Sequence, residues 1–422
     1  MSISQLFPEE GPTLNLNFAG SRTLDPRITF TRTSTGTYMG SDGLIKVAPA
    51  DSPRFDHRYV NGEIESLGLL VEEQRSNLFT YSEQFDNADW IKTRCSVENS
   101  SIIAPDGSTN AFLLKEDTSV SDTHTLYKVI SFESGFKYSY SIFAKAYGSG
   151  NRKLFMLFGA GAFPSQQNAT FDLVNGIVEN VNTDNGSEAT IEKYSNGWYK
   201  CTLIGKATTS STTSTVISYL HNESTVFYTG DGSSGIYVWG AQLEQGSFPT
   251  SYIPRPDAST ATRTPDNVSM VGENFSSWYN PTEGTIVLDC TPVYDNSSNQ
   301  YRRLLSIHNN SGGQTDVIQF IQTEASNQVS SAVWDGSSFQ SGFGKVVNSG
   351  TRYKVAFAVK ENNMNASYDG SIGTDDTSAT LPVMTEMDIG SYNNVYQATT
   401  HYNSLRYYPT RLPNSQLQTL TR

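Results

Sequence analysis

The sequence predicts an all-β protein: two antiparallel β-sandwiches of the jelly-roll type after a small N-terminal β-region. Three observations point there. Of the 422 residues only 36% are hydrophobic and 17% charged, which leaves little of the Ala, Leu, Glu and Lys that a helix-rich protein carries. The chain is instead rich in Ser, Thr and Asn, with 33 Gly, 23 Tyr and 21 Phe. Aromatic and β-branched residues fill strands, and Gly, Asn and Ser make turns. Apolar and polar residues also alternate residue by residue over many short runs bounded by turn signals. Disorder is disfavoured, because 12% aromatic residues supply ample apolar surface to bury.

Residues 1–75 read as a few short strands broken by Asp25-Pro26, Asp42-Gly43 and Ser52-Pro53. Ile28 to Arg32 has a β-pattern, and Gly36 to Lys46 suits a hairpin over Asp42-Gly43. This region lacks a core of its own and needs a neighbour, so it reads as an arm that docks elsewhere. Residues 76–262 form the clearest unit. Tyr138, Tyr140, Ile142 and Ala144 share one strand face, Tyr199, Cys201 and Leu203 another, and Tyr237, Trp239, Ala241 and Leu243 a third. Asn175-Gly176 closes a hairpin between two of the strands. Residues 263–283 have the composition of a linker. From 284 to 422 the alternation restarts, with Ile286, Leu288 and Cys290, then Tyr353, Val355, Phe357 and Val359, and a hairpin turn at Asp369-Gly370. Ser404 to Tyr408 reads as the last strand and Pro413 to Leu420 as one short helix.

Composition excludes several functions. With 29 Lys and Arg against 42 Asp and Glu, the net charge is −13 and the basic residues are scattered, so nucleic acid is not an expected partner. No run approaches the roughly 18 apolar residues that span a membrane, and the first twenty residues lack the charged and apolar regions of a secretory signal. Cys95, Cys201 and Cys290 stand far apart, without the spacing of a zinc site or a disulfide framework, as in a protein folded in a reducing cytosol. There is no solenoid or propeller repeat.

Motifs for chemistry are equally sparse. Gly230-Asp-Gly-Ser-Ser-Gly235 matches a dinucleotide-binding string, but a strand pattern follows it where a helix is required, so it reads as a turn. The five histidines are scattered, and no nucleophile elbow occurs. No catalytic residue and no cofactor is expected. The metal content is open: Asp231, Asp335-Gly336 and Asp375-Asp376 could hold a structural Ca²⁺ or form solvated turns. The best candidates for ligand binding are Tyr392, Tyr396 and His401, because that loop combines aromatics with Asn and Gln, as sugar sites do.

Three strings carry a resemblance. They are Ile28 to Tyr38 with Asp42 to Lys46 and Pro53 to Asp56; Gly68 to Trp90; and Tyr237 to Pro254 with Thr262 to Asp266. Together they resemble bacteriophage virion proteins of the head-spike or head-fibre type, and some tail fibre proteins. Asn403 to Leu420 resembles the last strand and closing helix of concanavalin A-like (laminin-G-like) sandwiches, although Pro413 stands where such helices have a Ser or Thr cap. The resemblance implies a carbohydrate-binding-module-like jelly roll over 76–262 and a concanavalin A-like sandwich over 284–422. It also implies a virion-attachment role for 1–75, synthesis in the host cytoplasm, display on the virion surface as a homotrimer, contact with other virion proteins and binding of host-surface carbohydrate, without enzymatic activity. A tail fibre receptor-binding role and a glycan-degrading hydrolase are the alternatives.

Overall fold

The computed structural model describes residues 7–148, 152–163, 166–183, 186–294, 300–310, 315–323, 326–336 and 338–422. It is 52% strand and 5% helix, with four large antiparallel sheets paired into two sandwiches. Sheet I runs Glu188–Lys193, Tyr199–Lys206, Lys137–Tyr147, Gly235–Gln245, Phe112–Glu116, Cys95–Asn99. Sheet II runs Ile177–Val181, Gln167–Asp172, Lys153–Phe158, Ser211–His221, His124–Phe132, Ile91–Thr93. Between them lies a core that includes Tyr138, Tyr140, Ile142, Leu154, Met156, Cys201, Leu203 and Leu243. The alternation of apolar residues therefore marks the buried faces, with one difference. Tyr237 and Trp239 leave this core, and Ile236 and Val238 enter it. The register against Lys137–Tyr147 slips there, because Gly240 adopts φ +57°, a left-handed conformation that glycine takes at little cost. Trp239 packs instead with Phe143, Trp198 and Tyr252 on the far side of sheet I, where Ile45 of the N-terminal hairpin joins them.

Sheet III runs Ser371–Ile372, Asn365–Tyr368, Tyr353–Lys360, Glu283–Val293, Thr399–Tyr408, Glu63–Val71, Arg54–Val60, with Leu14–Asn17 also on Thr399–Tyr408. Sheet IV runs Thr29–Thr31, Asn267–Val271, Glu386–Ile389, Tyr301–His308, Val317–Thr323, Gln328–Asp335, Ser338–Val346. The expected division into a docking arm, a linker and a sandwich beginning at 284 does not describe these sheets. Leu14 pairs with Tyr407, Leu70 with His401, and Phe30 with Val268. Leu14, Leu16, Phe18, Phe30, Leu69 and Val71 share one core with Ile286, Leu288, Leu405 and Tyr407. The physical reason is the one that made the region look incomplete. Its strands expose apolar faces too few to bury each other, and the closing strands of the chain supply the other half. The linker is likewise part of this sandwich: Val268 and Met270 lie in the core, and the helical turn Glu273–Ser276 delivers Phe275 and Trp278 to it. The jelly roll is thus inserted between two strands of the second sandwich. The closing helix Asn414–Leu420 follows Pro413 (φ −59°) and packs Leu417 and Leu420 over Val287 and Ala358.

The two sandwiches meet at a buried ion cluster. Arg54 binds Glu72 and Asp266, each at 2.5 Å; Arg32 reaches Asp266 at 3.0 Å and Arg263 reaches Glu72 at 3.1 Å. Ser251, from the end of the jelly roll, donates its N–H and hydroxyl to Glu72 at 2.8 and 2.7 Å. Burial opposes ionisation of Glu72, but Arg263, Arg54 and Ser251 outweigh it and hold the carboxyl well below the usual carboxylate range.

Candidate functional site

Sheet II buries one face against sheet I; its other face is partly exposed, with Thr125, Leu157 and Thr170 buried on it. Strand pairing arranges that outward face in two rows. One crosses Thr93, Thr125, Tyr219, Phe155 and Thr170; the next crosses Ile91, Tyr127, Ile217, Leu157 and Asn168. Their neighbours along each strand, such as Leu126, Met156 and Leu220, point into the core. Five strands at about 4.8 Å spacing make each row about 19 Å long. Tyr127, Phe155, Ile217, Tyr219 and His221 are partly exposed. Phe155 lies edge-on to Tyr219 at 5.5 Å and stacks with His221 at 6.2 Å. Burial lowers the His221 pKa, and its Nδ1 contacts the Asn222 carbonyl.

One end of the face opens into a polar cup of about 300 Å³ lined by Arg152, Lys153, Asp172, Asn175 and Glu223. Arg152 forks onto Glu116 through two bonds of 2.6 Å, and Lys153 pairs with Glu179 at 2.5 Å. Against the cost of burial, the N–H groups of Val174 and Asn175 and the Asn175 side chain pull the Asp172 carboxyl below its ordinary range. The site combines an apolar, aromatic floor with oriented polar groups at its rim. That pairing takes the flat, hydrogen-rich faces of sugar rings and their hydroxyls together.

The residues expected from the sequence lie elsewhere and do not converge. Tyr392 is 2% exposed, packed on His308 at 4.6 Å, so its ring is closed to a ligand. Tyr396, in the same turn, is 39% exposed with Arg303 over its ring at 5.0 Å. His401 stands on sheet III, its Nε2 2.8 Å from Asp56 Oδ2. The Asp clusters are occupied by the protein: Asp231 accepts from Ser233 and Ser234, Asp375 from Asn365 and Asn414, and Asp335 from Thr380. No group of three or more His, Cys, Asp or Glu is arranged for a metal among the described residues.

No family model and no curated protein matches the chain. Solved structures to which part of the chain is similar include the CBM40 module of Ruminococcus gnavus IT-sialidase bound to α2,3-sialyllactose (16% identity, 35% of this chain and 88% of that one, TM-score 0.31). A SAP-like pentraxin from Limulus polyphemus is similar over 33% and 70% (10% identity, TM-score 0.26). The carbohydrate-binding module CBM66 from Bacillus subtilis is similar over 33% and 81% (9% identity, TM-score 0.25).

Proposed function

We propose that this protein is a non-enzymatic virion surface protein that binds a host-surface glycan on the outward face of sheet II. The observation that carries the binding role is the partly exposed double row centred on Tyr127, Phe155, Ile217 and Tyr219, with its polar cup. The virion setting rests on the three strings that resemble head-spike and head-fibre proteins. Contact with other virion proteins and a homotrimer belong to the same proposal. A shallow sugar platform binds weakly, and several copies on one particle raise the effective concentration. A hydrolase needs two carboxyls converging on the substrate, one of them protonated, and an assay for released reducing ends tests that alternative.

The test is isothermal titration with purified host-surface polysaccharide. The double variant Phe155→Ala/Tyr219→Ala should lose at least tenfold in affinity, Tyr396→Ala should leave it unchanged, and no reducing ends should appear on incubation. Full affinity in the double variant would reject the platform, and released reducing ends would reject the non-enzymatic role.

A further inference from the structure

A second concavity lies where the two sandwiches face each other. Two cavities, of about 430 and 670 Å³, share Met39, Asp56, Glu192, Tyr194, Val293, Gly350 and His401 and so form one continuous cleft. Its long walls are sheet edges. Glu188–Lys193 is the last strand of sheet I, and Arg54–Val60 the last strand of sheet III. The register of Arg54–Val60 against Glu63–Val71 slips between Asp56 and His57, where Leu67 is the extra residue on the partner strand. Asp56, His57 and Leu67 all line the cleft.

Its polar groups come from three distant parts of the chain. Asp56 accepts from the Met39 N–H at 2.7 Å and from His401 at 2.8 Å, which keeps its carboxylate oriented with lone pairs to spare. Tyr194 packs edge-on against Phe143 at 4.9 Å, and its hydroxyl makes no hydrogen bond among the described residues. Burial, with Glu192 and Asp56 nearby, pushes that phenol well above its ordinary range, so it stays a donor. Tyr38, Tyr59 and Tyr199 add aromatic wall. Four carboxylates and four Lys or Arg side chains line the cleft, so their charges cancel. A cavity of this size with aromatic walls, mixed donors and acceptors and no net charge suits neither a polyanion nor a purely apolar molecule.

We propose that this cleft is a separate binding site for a single neutral pyranose unit, held by the Tyr194 hydroxyl and the Asp56–His401 pair. The proposal extends the glycan-binding reading to the junction and rests on it for the class of ligand. The test uses the full chain and a panel of glucose, galactose, mannose and N-acetylglucosamine, followed by saturation-transfer NMR and titration. At least one sugar should bind. Tyr194→Phe, which removes one oxygen and keeps the packing, should weaken it at least tenfold. Phe155→Ala/Tyr219→Ala should leave that affinity unchanged while reducing polysaccharide binding. If no sugar of the panel binds, or if Tyr194→Phe binds as tightly as the natural protein, the cleft site is overturned. Polysaccharide binding that still depends on Phe155 and Tyr219 would then leave the platform standing. Sugar binding that Tyr194→Phe weakens, beside polysaccharide binding indifferent to Phe155 and Tyr219, would uphold the cleft and reject the platform.

Discussion

At the scale of single residues, the strings most recognisable in the sequence do structural work. Arg32, Arg54, Glu72, Arg263 and Asp266 all lie in them, and all meet in the buried cluster between the sandwiches. Removing one member leaves uncompensated buried charge, so Arg54→Ala should cost about 3–5 kcal/mol, measurable as a lowered denaturant midpoint. Glu72 adds a pH dependence. Its folded pKa lies below the unfolded value, so its stabilisation is complete above the ordinary carboxylate range. That stabilisation fades as pH falls towards the folded value. A series of urea midpoints from neutral to acid pH should decline more steeply for the natural protein than for Glu72→Gln; equal slopes would contradict the pairing. The thiols follow the same logic of burial. Cys201 and Cys290 are fully buried with raised pKa values, as the strand patterns around them predict.

At the scale of elements, the hairpins are local and were readable: Gly36–Met39 with Ile45–Ala48, and Gln167–Asp172 with Ile177–Val181, turn where Asp42-Gly43 and Asn175-Gly176 stand. Bulges were not readable, because they depend on the partner strand. Gly68 pairs with Asp56 at the bulge that lines the junction cleft. It has φ +86°, and a Cβ there would sit 2.0 Å from the Tyr402 carbonyl oxygen. Backbone cannot yield as a side chain does, so Gly68→Ala should destabilise by more than the roughly 1 kcal/mol of an ordinary glycine replacement. A denaturant midpoint indistinguishable from the natural protein would contradict this. The outward face of sheet II was hidden for a related reason. Tyr127, Ile217 and Tyr219 alternate with Leu126, Val216 and Leu220, which are also apolar, so the pattern there does not mark which face is buried. The visible signal was apolar residues at both parities of Ser211–His221 and His124–Phe132.

At the scale of the whole molecule, insertion of one sandwich into the other makes a specific demand on fragments. A polypeptide of residues 263–422 lacks Leu14, Leu16, Phe18, Phe30, Leu69 and Val71, each worth about 1.5–3 kcal/mol when buried, a loss comparable to the whole stability of a domain. It should not unfold cooperatively, whereas residues 76–262, which hold sheets I and II, should. Cooperative unfolding of 263–422 by circular dichroism would contradict the shared core. Deleting residues 1–75 should therefore collapse the second sandwich rather than detach an arm. Local patterning determined the class of fold, the sandwich over 76–262, most strand faces and the closing helix, because each depends on residues a few positions apart. Only the tertiary structure decided that Leu14–Asn17 closes against Thr399–Tyr408 and that His401 meets Asp56, 345 residues away. It also decided that Tyr392 is buried while Tyr219 faces out. Those outcomes depend on which apolar faces find each other across the chain, and a period of alternation carries no record of its distant partner.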